Sequence, residues 1–334
     1  MSDAATIVGA GSVGLALAAR LAAGGVRVLL VTRRPEAARL LAERGLVAED
    51  PATRVRRGLA VRATAEPAAV DATAGPVFVC TRVDAVGEVA RALGSRAPAL
   101  VTFQNDVVSE EDAARFAPRV IGGVWRETVT RLADDRVTYQ LERPGRAIVG
   151  LAPAGGGADV EAVAALLRRG GIDVSVSPAI ARDKWLKLCV NLMSTPNALV
   201  RREDHATPEF VEVKARLLEE ARAALAAAGI DATPCDGRDR TLEAEIRFQR
   251  EALARGASAR PLPLYNQVWT SLRHGSPLEA DAYHERILAL TRAHAVPAPV
   301  NERVLAHLLT AARLRLGPES LPARDLLGES GDVG

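Results

Sequence analysis

The stretch TIVGAGSVGLALAARLAAGGVRVLLVTRR, residues 6–34, decides the fold. Residues 6–8 form a short β-rich run. Gly9, Gly11 and Gly14 follow it as G-x-G-x-x-G. Residues 15–23 are small and apolar and read as a helix. Gly24 and Gly25 stop that helix, and residues 26–31 read as a second buried strand. This is the strand–helix–strand setting that the glycine motif requires. Gly9 permits a tight turn, Gly11 lets the backbone approach a diphosphate, and Gly14 lets helix and strand pack closely. With Ser12 and Val13 between the glycines, the helix start offers free N–H groups to a dinucleotide.

The end of the second strand selects between dinucleotides. An acid there would bond a ribose 2′-hydroxyl. This chain has Thr32, Arg33 and Arg34, and guanidinium forks match phosphate geometry. The expected cofactor is therefore NADP(H). Apolar runs at residues 76–80, 99–103 and 120–124 continue a sheet. Each ends in polar residues, where open α/β sheets bind ligands: Thr81-Arg82, Gln104-Asn105-Asp106 and Trp125-Arg126-Glu127. Residues 136–151 alternate like a strand pair turning at Pro144-Gly145. A helix over 159–169 and a strand over 172–177 complete a first domain expected to span residues 1–178.

Beyond residue 179 the β-type runs stop, which predicts an all-helical domain over 179–316. Thr207-Pro208-Glu209 is a helix start, with an N-cap, proline at the first position and an acid in the first turn. That helix should end at Gly229. Further helices are expected over 242–255, 280–293 and 300–316, with a loose tail over 317–334. The fold class is thus an α/β Rossmann-type domain followed by an all-α domain. The length of 334 residues fits two domains, because single cores stop growing near roughly 250–300 residues. A net charge of +2 gives no global pull toward nucleic acid or an anionic membrane. No apolar run reaches about 18 residues, so no membrane span is expected. The N-terminus lacks a basic region before an apolar one, so no signal peptide is expected and the reading is cytoplasmic. Cys80, Cys189 and Cys235 are far apart, and neither they nor the five histidines show metal-ligand spacing.

The lysines carry the chemistry. Only three of the 43 basic residues are lysine, and Lys184 and Lys187 share the segment KWLKLCVNLM, residues 184–193. On a helix, Lys184, Lys187, Asn191 and Thr195 fall on one face, a polar stripe on an otherwise apolar element. The stripe follows the crossover from the first domain, where an interdomain ligand site is expected. Reduction of a carbonyl needs a hydride and a proton, and lysine can give the proton where arginine cannot. Lys184 reads as a lysine whose stem lies on apolar surface and whose head reaches water. Asn191 could orient Lys187 or hold a substrate.

The segments IVGAGSVG, FQNDVVSEED, KWLKLCVNLMSTPNAL, SPLEADAYHERIL and AHAVPAPVNERVLAHL occur in this order across residues 5–310. In order and spacing the chain resembles the ketopantoate reductase (2-dehydropantoate 2-reductase) family. That resemblance implies an NADPH-binding Rossmann domain joined to a helical domain that serves substrate binding and dimerisation, and reduction of a 2-keto acid to its hydroxy acid, a step of pantothenate biosynthesis. It makes Lys187 the general acid and Glu279 the carboxylate that contacts it and the substrate. It places Asn105 beside cofactor and lysine, Asn191 at the substrate and Arg33 at the 2′-phosphate. A carboxylate beside a half-buried lysine would also keep it protonated, against the effect of desolvation.

Four positions depart from the family pattern. Asp106 replaces a glycine, Arg82 a lysine, Gln267 a serine and Thr195 an asparagine. The last two are substrate positions in the family, so the departures argue for a substrate other than ketopantoate itself. Arg82 could hold the cofactor or a carboxylate, and Asp106 could cap the helix that follows or select a cationic substrate. Two other readings stand beside the reductase: an opine- or imine-type dehydrogenase, and a non-catalytic NADP(H)-binding protein. A homodimer is expected of the helical half.

Overall fold

The computed structural model describes residues 3–254 and 266–328. It divides into two compact units, Met1–Lys184 and Trp185–Gly334. The first unit contains β1 (Ala4–Val8), α1 (Ser12–Ala23), β2 (Arg27–Val31), α2 (Pro35–Arg44), β3 (Leu46–Glu49), β4 (Arg56–Leu59), β5 (Arg62–Thr64) and β6 (Val77–Val79). It continues through α3 (Val86–Leu93), β7 (Leu100–Thr102), α4 (Ser109–Ala114), β8 (Val120–Trp125), β9 (Thr130–Ala133), β10 (Arg136–Thr138), β11 (Gly145–Leu151), α5 (Ala158–Arg169) and β12 (Ile172–Val176). Eight strands form one sheet in the order β12-β11-β8-β7-β6-β1-β2-β5. Neighbours from β5 to β8 are parallel, β11 is antiparallel to β8, and β12 is parallel to β11.

Side chains alternate between two cores, one on each face of this sheet. Ile7, Leu30, Phe78, Val101 and Ile121 pack on the face covered by α1 and α5. Their neighbours Val8, Val31, Val77, Leu100 and Val120 pack on the face with α3 and α4. A strand buried on both sides reads as a continuous apolar run, which is why these segments carry no polar alternation.

The alternating segment over 136–151 is not a hairpin. Its first half, β10, joins a second sheet of order β4-β3-β10-β9, and its second half, β11, lies in the large sheet. Alternation reports a half-buried strand but not its partner. Gly145 meets a packing demand there, since a Cβ at Gly145 would lie 2.8 Å from Arg20 Nε. Arg20 is buried and donates from Nε to Glu127 Oε2 at 2.9 Å, and from Nη2 to the carbonyls of Gln140 and Arg143. Glu127, one of the polar strand-end residues, is thereby a structural partner of Arg20.

Helix α6 (Ile180–Leu192) straddles the division after Lys184, six residues beyond the expected boundary at 178. A contact boundary inside a helix has no local sequence mark. The second unit continues with α7 (Ser194–Leu199), α8 (Pro208–Ala227), α9 (Leu242–Ala254), α10 (Gln267–His274), α11 (Ala280–Ala293), α12 (Pro299–Leu314) and α13 (Ala323–Leu327). Arg255, the expected end of α9, lies outside the described residues. Thr207 caps α8 by accepting from Phe210 N at 3.4 Å.

The tail is a correction. Residues 317–328 are anchored, and 329–334 lie outside the described residues. Arg201 N donates to Leu321 O at 2.8 Å, Leu321 N to Leu199 O at 3.0 Å, and Ala323 N to Asp204 Oδ2 at 2.9 Å. Ala323 and Leu326 are buried against Val200, Phe210 and Val304. Glycine, proline and charge dominate the tail's composition and hide these few apolar anchors. Among the described residues no helix is long and apolar enough to cross a membrane, and no cluster of side chains could hold a metal ion.

Candidate active site

The glycine turn leads from β1 into α1. Gly9 has φ +112°, and a Cβ there would lie 2.6 Å from Cys80 O. A Cβ at Gly14 would lie 1.9 Å from Gly9 O. Neither position admits a side chain. At Gly11 an added Cβ meets nothing nearer than Cys80 O at 3.9 Å, so the space over Gly11 is open. Helix α1 has no side-chain cap and no acid in its first turn, which leaves its first N–H groups for an anion. Ser12 Oγ accepts from Arg131 N at 3.2 Å, and the half-buried Val13 packs on the core beneath.

At the end of β2, Thr32 is buried and Arg33 is exposed. Arg34 pairs with Asp134, as does Arg131. Sequence reasoning missed Asp134 and Arg131, because β9 and the turn after it are far from Arg34 in sequence, Asp134 by 100 residues.

At the ends of β6 and β7, Gln104 donates from Nε2 to Val79 O at 2.9 Å and Thr81 O at 3.0 Å. Gln104 Oε1 and Thr81 Oγ1 are buried without a hydrogen-bond partner. Orphaned polar atoms in a native fold call for an explanation. The open space over Gly11, the free helix start and these two atoms all fit a bound dinucleotide, whose polar groups would supply the missing partners. Arg82 is exposed and lies 3.6 Å from Asp84. Asn105 is half-buried at the end of β7.

Asp106 is committed within the fold. Its Oδ1 accepts from Val108 N at 3.3 Å and Ser109 N at 3.1 Å, and its Oδ2 accepts from Ser109 Oγ at 2.6 Å. These bonds hold the entry to α4, as a capping aspartate does. Lys184 differs from its expected surface role. It is buried, bonds to Glu110 and lies 3.8 Å from Asp106. Glu110 Oε1 also accepts from Thr102 Oγ1 at 2.5 Å. The available signal was a lysine in an apolar helix, which requires a buried acid somewhere in the fold.

In the second unit, Lys187 and Asn191 are half-buried one turn apart on α6. Thr195 is not on that helix. α6 ends at Leu192, and the proline at 196 explains the end: its ring excludes the carbonyl four residues back and it has no N–H to donate. Thr195 is fully buried, and its hydroxyl is 3.0 Å from His284 Nε2. His284 Nδ1 lies 3.0 Å from Asn301 Oδ1, and Asn301 Nδ2 donates to Glu220 Oε2 at 2.8 Å. Because Asn301 donates from its nitrogen, its oxygen faces the ring. His284 therefore carries its proton on Nδ1 and accepts from Thr195 on Nε2. Burial pushes the His284 pKa down to about 4, so the ring is neutral. The four-residue stripe thus separates into Lys184 in the first unit, Lys187 and Asn191 along α6, and Thr195 in the helical core.

Gln267 is the exposed first residue of α10. Asn266 before it caps that helix through Trp269 N at 2.9 Å and donates to Ser194 O at 2.8 Å. Glu279 is half-buried at the N-cap position of α11.

Residues 5–154 match the family model described as "Ketopantoate reductase PanE/ApbA". Residues 179–312 match its partner, "Ketopantoate reductase PanE/ApbA C terminal". Among solved structures, a PanE/ApbA family ketopantoate reductase from Ralstonia eutropha JMP134 is 20% identical. That match has a TM-score of 0.75 and covers 93% of this chain and 99% of that one. A 2-dehydropantoate 2-reductase from Methylococcus capsulatus is 22% identical, with a TM-score of 0.72 over 93% and 97% of the two chains. A D-mandelate dehydrogenase with NADH and anilino(oxo)acetate is 16% identical, with a TM-score of 0.74 over 93% and 99%. At these identities the structures speak for the fold alone.

Proposed function

The chain belongs to the ketopantoate reductase PanE/ApbA family, and from that premise we propose that it reduces a 2-keto acid to the 2-hydroxy acid with NADPH. Membership alone makes it an oxidoreductase of a family that reduces keto acids with NAD(P)H. One observation carries the cofactor part of the proposal: Gly9 and Gly14 have no room for a Cβ, while the space over Gly11 is open.

A bound nicotinamide supplies the hydride to the carbonyl carbon. In the first unit the α1 start binds the diphosphate, and Thr32, Arg33 and Arg34 receive the adenosine end. Arg82 and Asn105, past the ends of β6 and β7, would face the nicotinamide when the cofactor is bound. In the second unit Lys187 gives a proton to the carbonyl oxygen as negative charge develops on it. Glu279 keeps that lysine charged, and Asn191 and Gln267 position the substrate. Thr195, the other residue expected at the substrate, is engaged by His284. With Asp106 held by Ser109 and Val108, its geometry does not favour an amine-bearing substrate over a keto acid. The departure at Gln267 supports a 2-keto acid other than ketopantoate.

The test is NADPH oxidation against ketopantoate, other 2-keto acids and keto acid–amine mixtures, with Lys187→Ala beside the wild type. Turnover on a keto acid alone is expected, lowered about 10²-fold or more in the variant. Turnover only with amine present would replace this proposal with an imine reductase. Cofactor binding with no turnover on any member would favour a non-catalytic role, and equal turnover in the variant would remove Lys187 as the acid.

A further inference from the structure

Two guanidiniums of the first unit converge on one carboxylate oxygen. Arg34 Nη2 and Arg131 Nη2 both bond to Asp134 Oδ1. Arg34 is the N-cap residue of α2, just past β2. Arg131 lies on β9, and Asp134 lies in the turn between β9 and β10. Arg131 N donates to Ser12 Oγ, so this edge of the small sheet is fastened to the first turn of α1. The cluster therefore joins the two features that fix the adenosine half of a dinucleotide, the helix start and the end of the second strand.

The sequence places arginines and no acid at the end of β2. The fold returns an acid to that place from the second sheet. We infer that Asp134 sets the preference between NADPH and NADH, holding back selection for the phosphorylated cofactor. This rests on the reading that the first unit binds a nicotinamide dinucleotide. Asp134 and a 2′-phosphate compete for the same donors. A 2′-phosphate seeks the guanidiniums that Asp134 occupies, and it meets a like charge if Asp134 stays. If Asp134 withdraws, two charge-assisted bonds are lost. A ribose 2′-hydroxyl is a neutral donor and gains from a carboxylate at this position, the role usually filled by an acid at the end of β2. One residue thus taxes NADPH and favours NADH. Arg131 supplies a second phosphate-binding fork that the local motif does not contain. Asp134 is partly exposed, with 22% of its side chain accessible, as are Arg34 at 51% and Arg131 at 39%. The effect is therefore screened and modest.

The test measures the dissociation constants of NADPH and NADH by titration, without substrate, for the wild type, Asp134→Asn and Arg131→Gln. Asparagine preserves the size of the turn residue, and circular dichroism confirms that each variant folds. The ratio of the NADH constant to the NADPH constant should rise about threefold or more in Asp134→Asn at low salt. It should fall in Arg131→Gln, through weaker NADPH binding alone. A ratio that moves by less than this in Asp134→Asn, or that falls, overturns the inference and leaves the cofactor reading intact. A wild type that binds neither dinucleotide overturns both.

Discussion

Burying the Lys184 ammonium beside Glu110 and Asp106 makes each charge depend on the others. Asp106 has backbone and hydroxyl donors besides, and Glu110 has Thr102. Lys184→Met would keep the volume and remove the cation, leaving two carboxylates buried side by side. Removing one partner of a buried pair costs about 3–5 kcal/mol. Denaturant unfolding should show a loss of that order, and Lys184→Met with Glu110→Gln should recover most of it. If the double variant is no more stable than the single one, the network is not the cause. The anomaly itself was legible, since a lysine on an apolar helix demands explanation. The partner was not, because Glu110 is 74 residues away and only the tertiary fold of the first unit brings them together. Lys187 shows the opposite balance: the role proposed for it rests on its helix face and a family motif, without any tertiary contact.

Helices and strands were legible where burial wrote a period into the chain. The runs for β1, β2, β6, β7 and β8 fall within about two residues of the expected ends, and α11 spans Ala280–Ala293 as expected. What the period cannot carry is partnership. β10 and β11 alternate as a hairpin would, yet they join different sheets. The small sheet was unforeseen because β3 and β4 are short, and β4 is mostly exposed. Helix α13 was missed for another reason: five residues offer too little pattern, and their anchorage is tertiary. That anchorage has a measurable consequence. Leu326 is fully buried in the cluster with Phe210 and Val304, so Leu326→Ala should lower stability by about 2–5 kcal/mol. A denaturation midpoint indistinguishable from wild type would mean that α13 contributes no packing, and the tail would then be as loose as its composition implies.

The response of the folded chain to acid follows from the buried histidine. Native His284 is neutral, with its pKa pushed down to about 4 by burial, while in the unfolded chain it titrates near 6.5. Between those values the unfolded state binds a proton that the native state does not. Stability is therefore complete above pH 6.5 and is lost as pH falls toward 4, by roughly 3 kcal/mol from this residue. His205 is shifted in the same direction, chiefly by burial, and adds to the slope. Carboxylates held low by arginine or backbone donors, such as Asp159 and Asp50, contribute a further loss at lower pH. The His284 part can be isolated with His284→Gln. That variant should be less stable than wild type at neutral pH, because the chain from Thr195 to Glu220 is broken or rebuilt with poorer geometry. Its stability should then decline less steeply between pH 6.5 and 4, so the two curves converge as acid is added. Parallel curves across that interval would show that burial does not hold the ring neutral. Convergence would establish that His284 is neutral in the folded chain and must take up a proton as acid unfolds it.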